Sequence, residues 1–312
     1  MMGGSIDVIG FGALNLDVLY SVPWIAVPDH ESRITGEDVT CGGSAANTVI
    51  GLSRLGVSTG YIAKIGDDKS GELLLNNLKE ENVDTSNIMI DSTGSSGQVL
   101  GFVDSQGERA LYVGPGVNDN ILVDELDWTM INRTKILHYS SFVGDSFNAQ
   151  VDLLDFLDDD IVLSFDPGVL YVKKGIEALK KILERTNILL INEDELKILY
   201  NSTENYKQLA RHIHETIETV IVKRGKKGVY AINKNQEIET PAFTTKPQDT
   251  TGAGDSFNAG FLYSYLQKYN LKKSCQIANW VASQTIQTTG ASTSAPTIKQ
   301  LQQAINKKII KG

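Results

Sequence analysis

The sequence predicts an α/β fold: a mostly parallel central sheet with helices on both faces, and beside it a small β-sheet. Three observations predict it. From about residue 135 onward, apolar runs of strand length alternate with helical stretches, the pattern of a parallel sheet covered on both faces. A glycine-rich string, DTTGAGDSFNAGFL (249–262), runs straight into an apolar helix. The extended stretches at about 13–40 and 96–118 have no helix close in sequence to cover the small sheet they would form. The expected division is a core of residues 1–12, 41–91 and 119–312, and a β-layer of residues 13–40 and 92–118.

Taken in order, IDVIGFGALNLDVLYSV (6–22) begins as a continuous apolar run and then alternates, which reads as a buried first strand continuing outward. Asn15 and Asp17 are two apart on an extended segment, so both face one side; they suit a ligand site, and equally a turn or a sheet edge. Residues 23–40 are polar, contain Pro28 and Gly36, and read as a short strand pair. In CGGSAANTVIGLSRLG (41–56), Gly42 and Gly43 precede a helix that Gly56 ends. Asn47, on its first turn, is either a ligand contact or a helix-face amide. GYIAKIGDDKSGELLLNNLKEENV (60–83) is a buried strand, a Gly-Asp turn and a helix with Leu73, Leu74 and Leu78 at helical spacing; Asp67 and Asp68 stay outside the site. SGQVLGFVDSQGERALYVGPGVN (96–118) is a hairpin around DSQGER. A sheet built from it and residues 13–40 has an uncovered face and must close over something. Arg109 on the hairpin is a solvated arginine or a contact for an anionic substrate.

The runs KILHYSS, DIVLSFDPG, NILLINEDE and TVIVKRGKKGVYAIN supply the later strands. The charge run DFLDDD (155–160) is a solvated loop. His212 and His214, two apart on a helix, diverge by roughly 200° and cannot share a metal. Asn192 and Glu195 follow a strand's carboxyl end, where open sheets bind ligands. Three apart at a helix start, Asn192 could approach phosphate oxygens while Glu195 holds a water of a Mg²⁺ shell; the same pair is also a capping box. VKRGKKGVY (222–230) is a tight turn between strands. In the 249–262 string, Gly252 and Gly254 let backbone N–H groups approach an anion, and the helix starting near Ala253 aims its positive end at it. Asp255 puts a negative charge where phosphate should bind, which is costly unless it takes a proton from an attacking hydroxyl during phosphoryl transfer. Helices at about 258–267 and 274–288 follow, then the loop GASTSAP (290–296).

The 249–262 string closely resembles the C-terminal signature of the ribokinase-like (PfkB) carbohydrate kinases, and 41–56 resembles their N-terminal signature. The resemblance runs from residue 6 to about 305, with weaker matches at 192–195 and 225–228. It implies a ribokinase-like fold and transfer of the γ-phosphoryl of ATP to a hydroxyl of a sugar; a nucleoside (adenosine, inosine or cytidine) is the alternative acceptor. It implies that Asp255 is the general base and that the N–H groups of Gly252, Ala253, Gly254 and Asp255 stabilise the phosphoryl group. Asn15, Asp17, Gly42, Gly43, Asn47 and Asp255 would meet the acceptor. Asn192, Lys223, Gly225, Gly228, Gly252, Gly254 and Asn279 would lie along the nucleotide, and Glu195 would hold Mg²⁺ through water. The small sheet would be a lid that also pairs two subunits, and carbonyls near Asp249 and in 290–296 would hold a monovalent cation, K⁺. Ser44 and Lys223 depart from the residues relatives often carry there. SFDPG (164–168) resembles archaeal nucleoside kinases as well as sugar kinases, and Tyr20, Trp24, Phe102 and Tyr112 would wall a base or form lid and dimer core. A relative that only binds sugar and regulates would be expected to have lost Asp255 or the cradle glycines, and neither is lost.

At 312 residues the chain is long enough to bury a full core. Its formal net charge of -9 argues against a general nucleic-acid binder, while local N–H donors and Mg²⁺ still suffice for ATP. No apolar run reaches the ~18 residues of a membrane span. MMGGSIDVIGFG has no basic region ahead of an apolar one, so no signal peptide and a cytoplasmic location are expected. Cys41 and Cys275 fit no metal spacing and read as buried reduced thiols. No GxGxxG follows the first strand, which disfavours a dinucleotide-binding enzyme.

Overall fold

The computed structural model, which describes residues 6–288, 290 and 294–310, breaks the first apolar run into two strands of different sheets, β1 (Val8–Phe11) and β2 (Asn15–Ser21). The single outward-running strand expected for 6–22 is thereby corrected. At the break the buried Tyr61 hydroxyl donates to the carbonyls of Gly12 and Ala13, at 3.0 and 3.2 Å, and holds the chain as it changes sheet. The following elements are β3 (Gly36–Gly42), α1 (Ser44–Arg54), β4 (Thr59–Gly66), α2 (Lys69–Glu80), β5 (Val83–Asp84), β6 (Ile88–Asp91), β7 (Gln98–Val103) and β8 (Arg109–Gly114). The second half contains α3 (Trp128–Ile131), β9 (Ile136–Ser140), α4 (Ser146–Leu153), β10 (Val162–Asp166), α5 (Gly168–Val172), α6 (Gly175–Arg185), β11 (Ile188–Asn192), α7 (Glu193–Leu199) and α8 (Tyr206–His214). It closes with β12 (Thr219–Lys223), β13 (Val229–Asn233), β14 (Gln236–Thr240), α9 (Ala253–Leu266), α10 (Leu271–Thr285) and α11 (Ile298–Asn306).

The large sheet runs β14-β13-β12-β11-β10-β9-β1-β4-β5, with β6 also on β4. It is parallel from β12 to β4, and β13 and β14 add an antiparallel edge. The strands are aliphatic on both sides because two cores cover them. Ile9, Leu137, Leu163, Leu189 and Val220 pack with α6 to α8, while Val8, Ile136, Ile188, Leu190 and Ile221 pack with α9 to α11. Helix α1 ends as the sequence predicts. Gly56, at φ +81°, lets the N–H groups of Gly56 and Val57 reach the carbonyls of Ser53 and Leu52.

The small sheet has the order β3-β2-β7-β8. Only β3 forms within 23–40, in place of the expected strand pair; Pro23 and Pro28 lack the N–H a ladder needs. Register sorts its side chains. Asn15, Asp17 and Leu19 share one face with Val99, Gly101, Leu111 and Val113, and Leu16, Val18 and Tyr20 share the other with Leu100, Phe102 and Tyr112. The inner part of that second face is covered after all, since Leu16 and Val18 pack with Leu74 and Leu78 of α2. Cys41 is therefore half-buried against α2 and Cys275 fully buried; both are free thiols. Helix α9 starts at Ala253, where the glycine string places it, whereas α10 starts at Leu271, earlier than expected, because Asn270 caps it by accepting from the Lys273 N–H at 2.9 Å. Among the described residues no helix is long and apolar enough to cross a membrane.

Candidate active site

Three neighbouring parallel strands each end on a polar residue: β10 on Asp166, β11 on Asn192 and β12 on Lys223. The register sets Asn192 beside Lys223. Ahead of these residues the strands are mostly apolar and packed into the two cores, Thr219 and the buried Ser164 being the exceptions. The strand order reverses between β1 and β9, and α1 begins over their carboxyl ends, its Ala45 N–H donating to Ser140 Oγ at 3.1 Å. Carboxyl strand ends at such a reversal are where open sheets bind ligands.

Helix α9 starts over the same end. Gly252 takes φ +72° as its N-cap, a left-handed conformation that costs glycine nothing, and no side chain caps the helix. The first-turn N–H groups of Gly254 and Asp255 therefore lack intrahelical acceptors, that of Ala253 turns back to the Thr250 carbonyl at 3.3 Å, and the helix dipole adds positive potential there. A Cβ on Gly254 would meet only Lys223 Nζ, at 3.6 Å, so the space above this turn is open.

The Asp255 carboxylate is clasped from α1. Ser44 Oγ donates to Oδ1 at 2.7 Å and Asn47 Nδ2 to Oδ2 at 2.9 Å. Burial pushes its pKa up to about 6, with Asp166 adding to the rise and the donors from Ser44 and Asn47, then Lys223, opposing it. Such a carboxylate is ionised at neutral pH and near the pKa of an efficient base. Gly43, at φ +123°, turns the chain into α1; a Cβ there would collide with the Ala13 carbonyl.

A cleft of about 680 Å³ extends from Asp255, within the range of small-ligand sites. Asp166, Asn192, Glu195, Lys223, Gly225, Gly228 and Gly254 line it near Asp255, and Phe243, Asn279, Ala282 and Ile286 supply a more apolar stretch. Asn279 Nδ2 donates to the carbonyls of Thr240 and Pro241 at 3.3 and 3.0 Å. Asn192 and Glu195 form the reciprocal capping box, Asn192 Oδ1 accepting from Glu195 N at 2.8 Å and Glu195 Oε2 from Asn192 N at 2.9 Å. Burial, with Asp166 nearby, raises the Glu195 pKa. Among the described residues no group of three or more His, Cys, Asp or Glu could cage a metal. The Glu195 carboxylate at the cleft is a donor of the kind that holds Mg²⁺ together with water and substrate phosphates. A second hollow, of about 710 Å³ between Tyr200 and Glu215, contains none of these residues.

Asn15 and Asp17 do not line that cleft; they lie on the small sheet, where Asn15 pairs with Gly42, two residues before Ser44. Burial pushes Asp17 up to about 6. A Cβ on Gly42 would collide with the Asp17 carboxylate. Asn15 Oδ1 and Asn47 Oδ1 are buried acceptors without a donor. Lys223, read from sequence as part of a turn, is the last residue of β12, and its side chain is only 15% exposed. Its Nζ donates to Asp166 Oδ2 at 2.6 Å and to Asn258 Oδ1 at 3.3 Å. Much of the loop expected to hold K⁺ lies outside the described residues. Ser44, Asp166 and Asn258 were missed as site residues. For Asp166 the signal was present, since it follows an apolar strand as Asn192 does.

Comparisons with known proteins identify the fold and the family. The chain is 40% identical over 252 residues to an uncharacterised sugar kinase of Archaeoglobus fulgidus, covering 79% of this chain and 98% of that one. It is 30% identical over 292 residues to an ATP-dependent ribose-1-phosphate kinase of Halopiger xanaduensis, covering 94% and 95%. The crystal structure of a nucleoside kinase of Methanocaldococcus jannaschii, described as an archaeal member of the ribokinase family, superposes with a TM-score of 0.82 at 27% identity, covering 98% and 100%. The model of the pfkB family carbohydrate kinases matches residues 6–298, and the chain belongs to that family.

Proposed function

We propose that this carbohydrate kinase moves the γ-phosphoryl group of ATP to a hydroxyl of a sugar, with Asp255 as the general base. The observation that carries the reading is the Asp255 carboxylate, clasped by Ser44 and Asn47 at an uncapped helix N-terminus. The nucleotide occupies the 680 Å³ cleft, with its phosphates over the first turn of α9 and its base toward Phe243 and Asn279. Asp255 takes the acceptor's proton as the oxygen–phosphorus bond forms and the bond to ADP breaks, and the α9 N–H groups receive the charge on the phosphoryl oxygens. Mg²⁺, held by Glu195 through water, would offset phosphate charge when bound.

Among the described residues Asn15 Oδ1 and Asn47 Oδ1 find no donor, and the hydroxyls of a sugar or of a nucleoside's ribose would supply them. One feature favours a sugar over a nucleoside. Tyr20, Phe102 and Tyr112 lie on the face of the small sheet opposite Asn15 and Asp17, so they do not wall the acceptor side, and Trp24 sits outside the strands, 55% exposed. The deciding assay compares ribose, fructose, 2-keto-3-deoxygluconate, ribose 1-phosphate, adenosine, inosine and cytidine at equal concentration. Nucleoside turnover well above every sugar would reverse the assignment. Asp17→Ala should raise the acceptor KM and leave that of ATP unchanged.

A further inference from the structure

We propose that Lys223 is a catalytic residue whose ammonium contacts the transferring γ-phosphoryl group, and that Asp166 and Asn258 are the positioning residues that hold it there. The proposal rests on the nucleotide-binding reading of the cleft.

An ammonium taken out of water is costly unless it is paired and used. Lys223 is held by two acceptors, Asp166 Oδ2 at 2.6 Å and Asn258 Oδ1 at 3.3 Å, which engage two of its three N–H donors. Asn258 Nδ2 donates to the same Asp166 oxygen at 2.6 Å, so the three side chains fix one another. Burial alone would lower the lysine pKa, but Asp166, with Glu195 and Asp255 behind it, holds it above its usual value.

The held ammonium faces the anion cradle. The point where a Gly254 Cβ would stand is 3.6 Å from Nζ, and apart from the neighbouring residues and backbone of α9 no other described group lies within 4 Å of it. An oxyanion over the first turn of α9 is therefore within reach of the third N–H of Lys223. Other cations near the cleft are placed differently: Arg224 is engaged by Glu193 and Glu239, at 3.1 and 3.0 Å, and Lys226 is exposed. His138, beneath Asp166, is neutral, pushed down to about 4 by burial, with Nδ1 3.0 Å from Ser164 Oγ. The carboxylates of Asp166, Glu195 and Asp255 thus face one buried ammonium, placed where charge develops on the equatorial oxygens during transfer. Lys223 keeps its protons throughout: the acceptor's proton goes to Asp255 and the electron pair of the broken bond goes to ADP.

The test compares Lys223→Met with the double variant Lys223→Met/Asp166→Asn. The single variant leaves a buried carboxylate unpaired and loses stability. The double variant neutralises both partners and is expected to melt near the wild type. If Lys223 acts on the phosphoryl group, the double variant stays about 10²–10³-fold slower in kcat with little change in acceptor KM. Recovery of near-normal kcat in the double variant would show that Lys223 only neutralises Asp166, and would overturn the proposal. Calorimetric titration without acceptor gives a second readout. The double variant should lose at least tenfold in affinity for a non-hydrolysable ATP analogue and little for ADP. Equal losses for both, or none, also overturn it. A wild-type protein that binds neither nucleotide sinks the kinase reading, and this proposal with it.

Discussion

Burial of Asp255 makes its carboxylate a base near neutral pH and, by the same displacement, weakens the fold. Its pKa in the fold is about 6 against a reference of 3.8, so the folded state holds the proton more tightly than the unfolded chain. Stability from this group is complete below about pH 4 and is lost as pH rises through about 6. Asp255→Asn should therefore be more stable than the wild type at pH 7.5, by on the order of 2 kcal/mol, and similar near pH 4. The unpaired Asn47 Oδ1 can turn to meet the new amide. Turnover should fall roughly 10²–10⁴-fold. Melting curves at the two pH values, beside steady-state kinetics, check both halves, and wild-type kcat/KM should fall below about pH 6 as the base protonates. Near-normal turnover would remove Asp255 from its role. At Glu195 the two readings of the sequence separate by Glu195→Gln. Glutamine keeps the capping box, so the melting temperature should hold while the Mg²⁺ concentration for half-maximal rate rises. An unchanged requirement for Mg²⁺ would leave Glu195 as a cap alone.

At the scale of elements, α9 is a helix whose first turn is kept bare. Gly254 has ordinary helical geometry and open space around it, so Gly254→Ala should stabilise the fold by about 0.5–1 kcal/mol while its methyl occupies the cradle and weakens nucleotide binding. Denaturant melts and calorimetry on one preparation would show the opposed signs; unchanged nucleotide affinity would mean that the phosphates sit elsewhere. The start of this helix was legible because glycines before an apolar run carry both the turn and the anion site. Asp166 carried the weaker signal of an aspartate closing an apolar strand, and nothing local pairs it with Lys223, 57 residues on; Lys223 was placed along the nucleotide by the resemblance, but VKRGKKG reads as a turn and conceals that it ends β12. The parallel strands were readable from unbroken aliphatic runs, whereas β14, QEIET, is a mostly exposed edge strand with no such pattern. The break between β1 and β2 depends on Tyr61, 49 residues on from Gly12, a contact that periodicity in 6–22 does not contain.

For the whole molecule, β8 leaves Leu111, Tyr112 and Val113 exposed at 55%, 63% and 48%, bare on both faces of the small sheet. Burying such a surface favours a two-fold pair of lids, so light scattering should give a dimer at micromolar concentration. A monomer with and without substrate would refute it. The Asp255 clasp has a different reach. Its partners stand 211 and 208 residues away along the chain, so the clasp proposed to hold the base is assembled only when the N-terminal and C-terminal parts have docked. Closing so long a loop comes late in folding. Returning activity after dilution from denaturant should lag the helical signal. Activity then reports a late long-range contact, and a truncated or half-folded chain that still shows native helix content is silent.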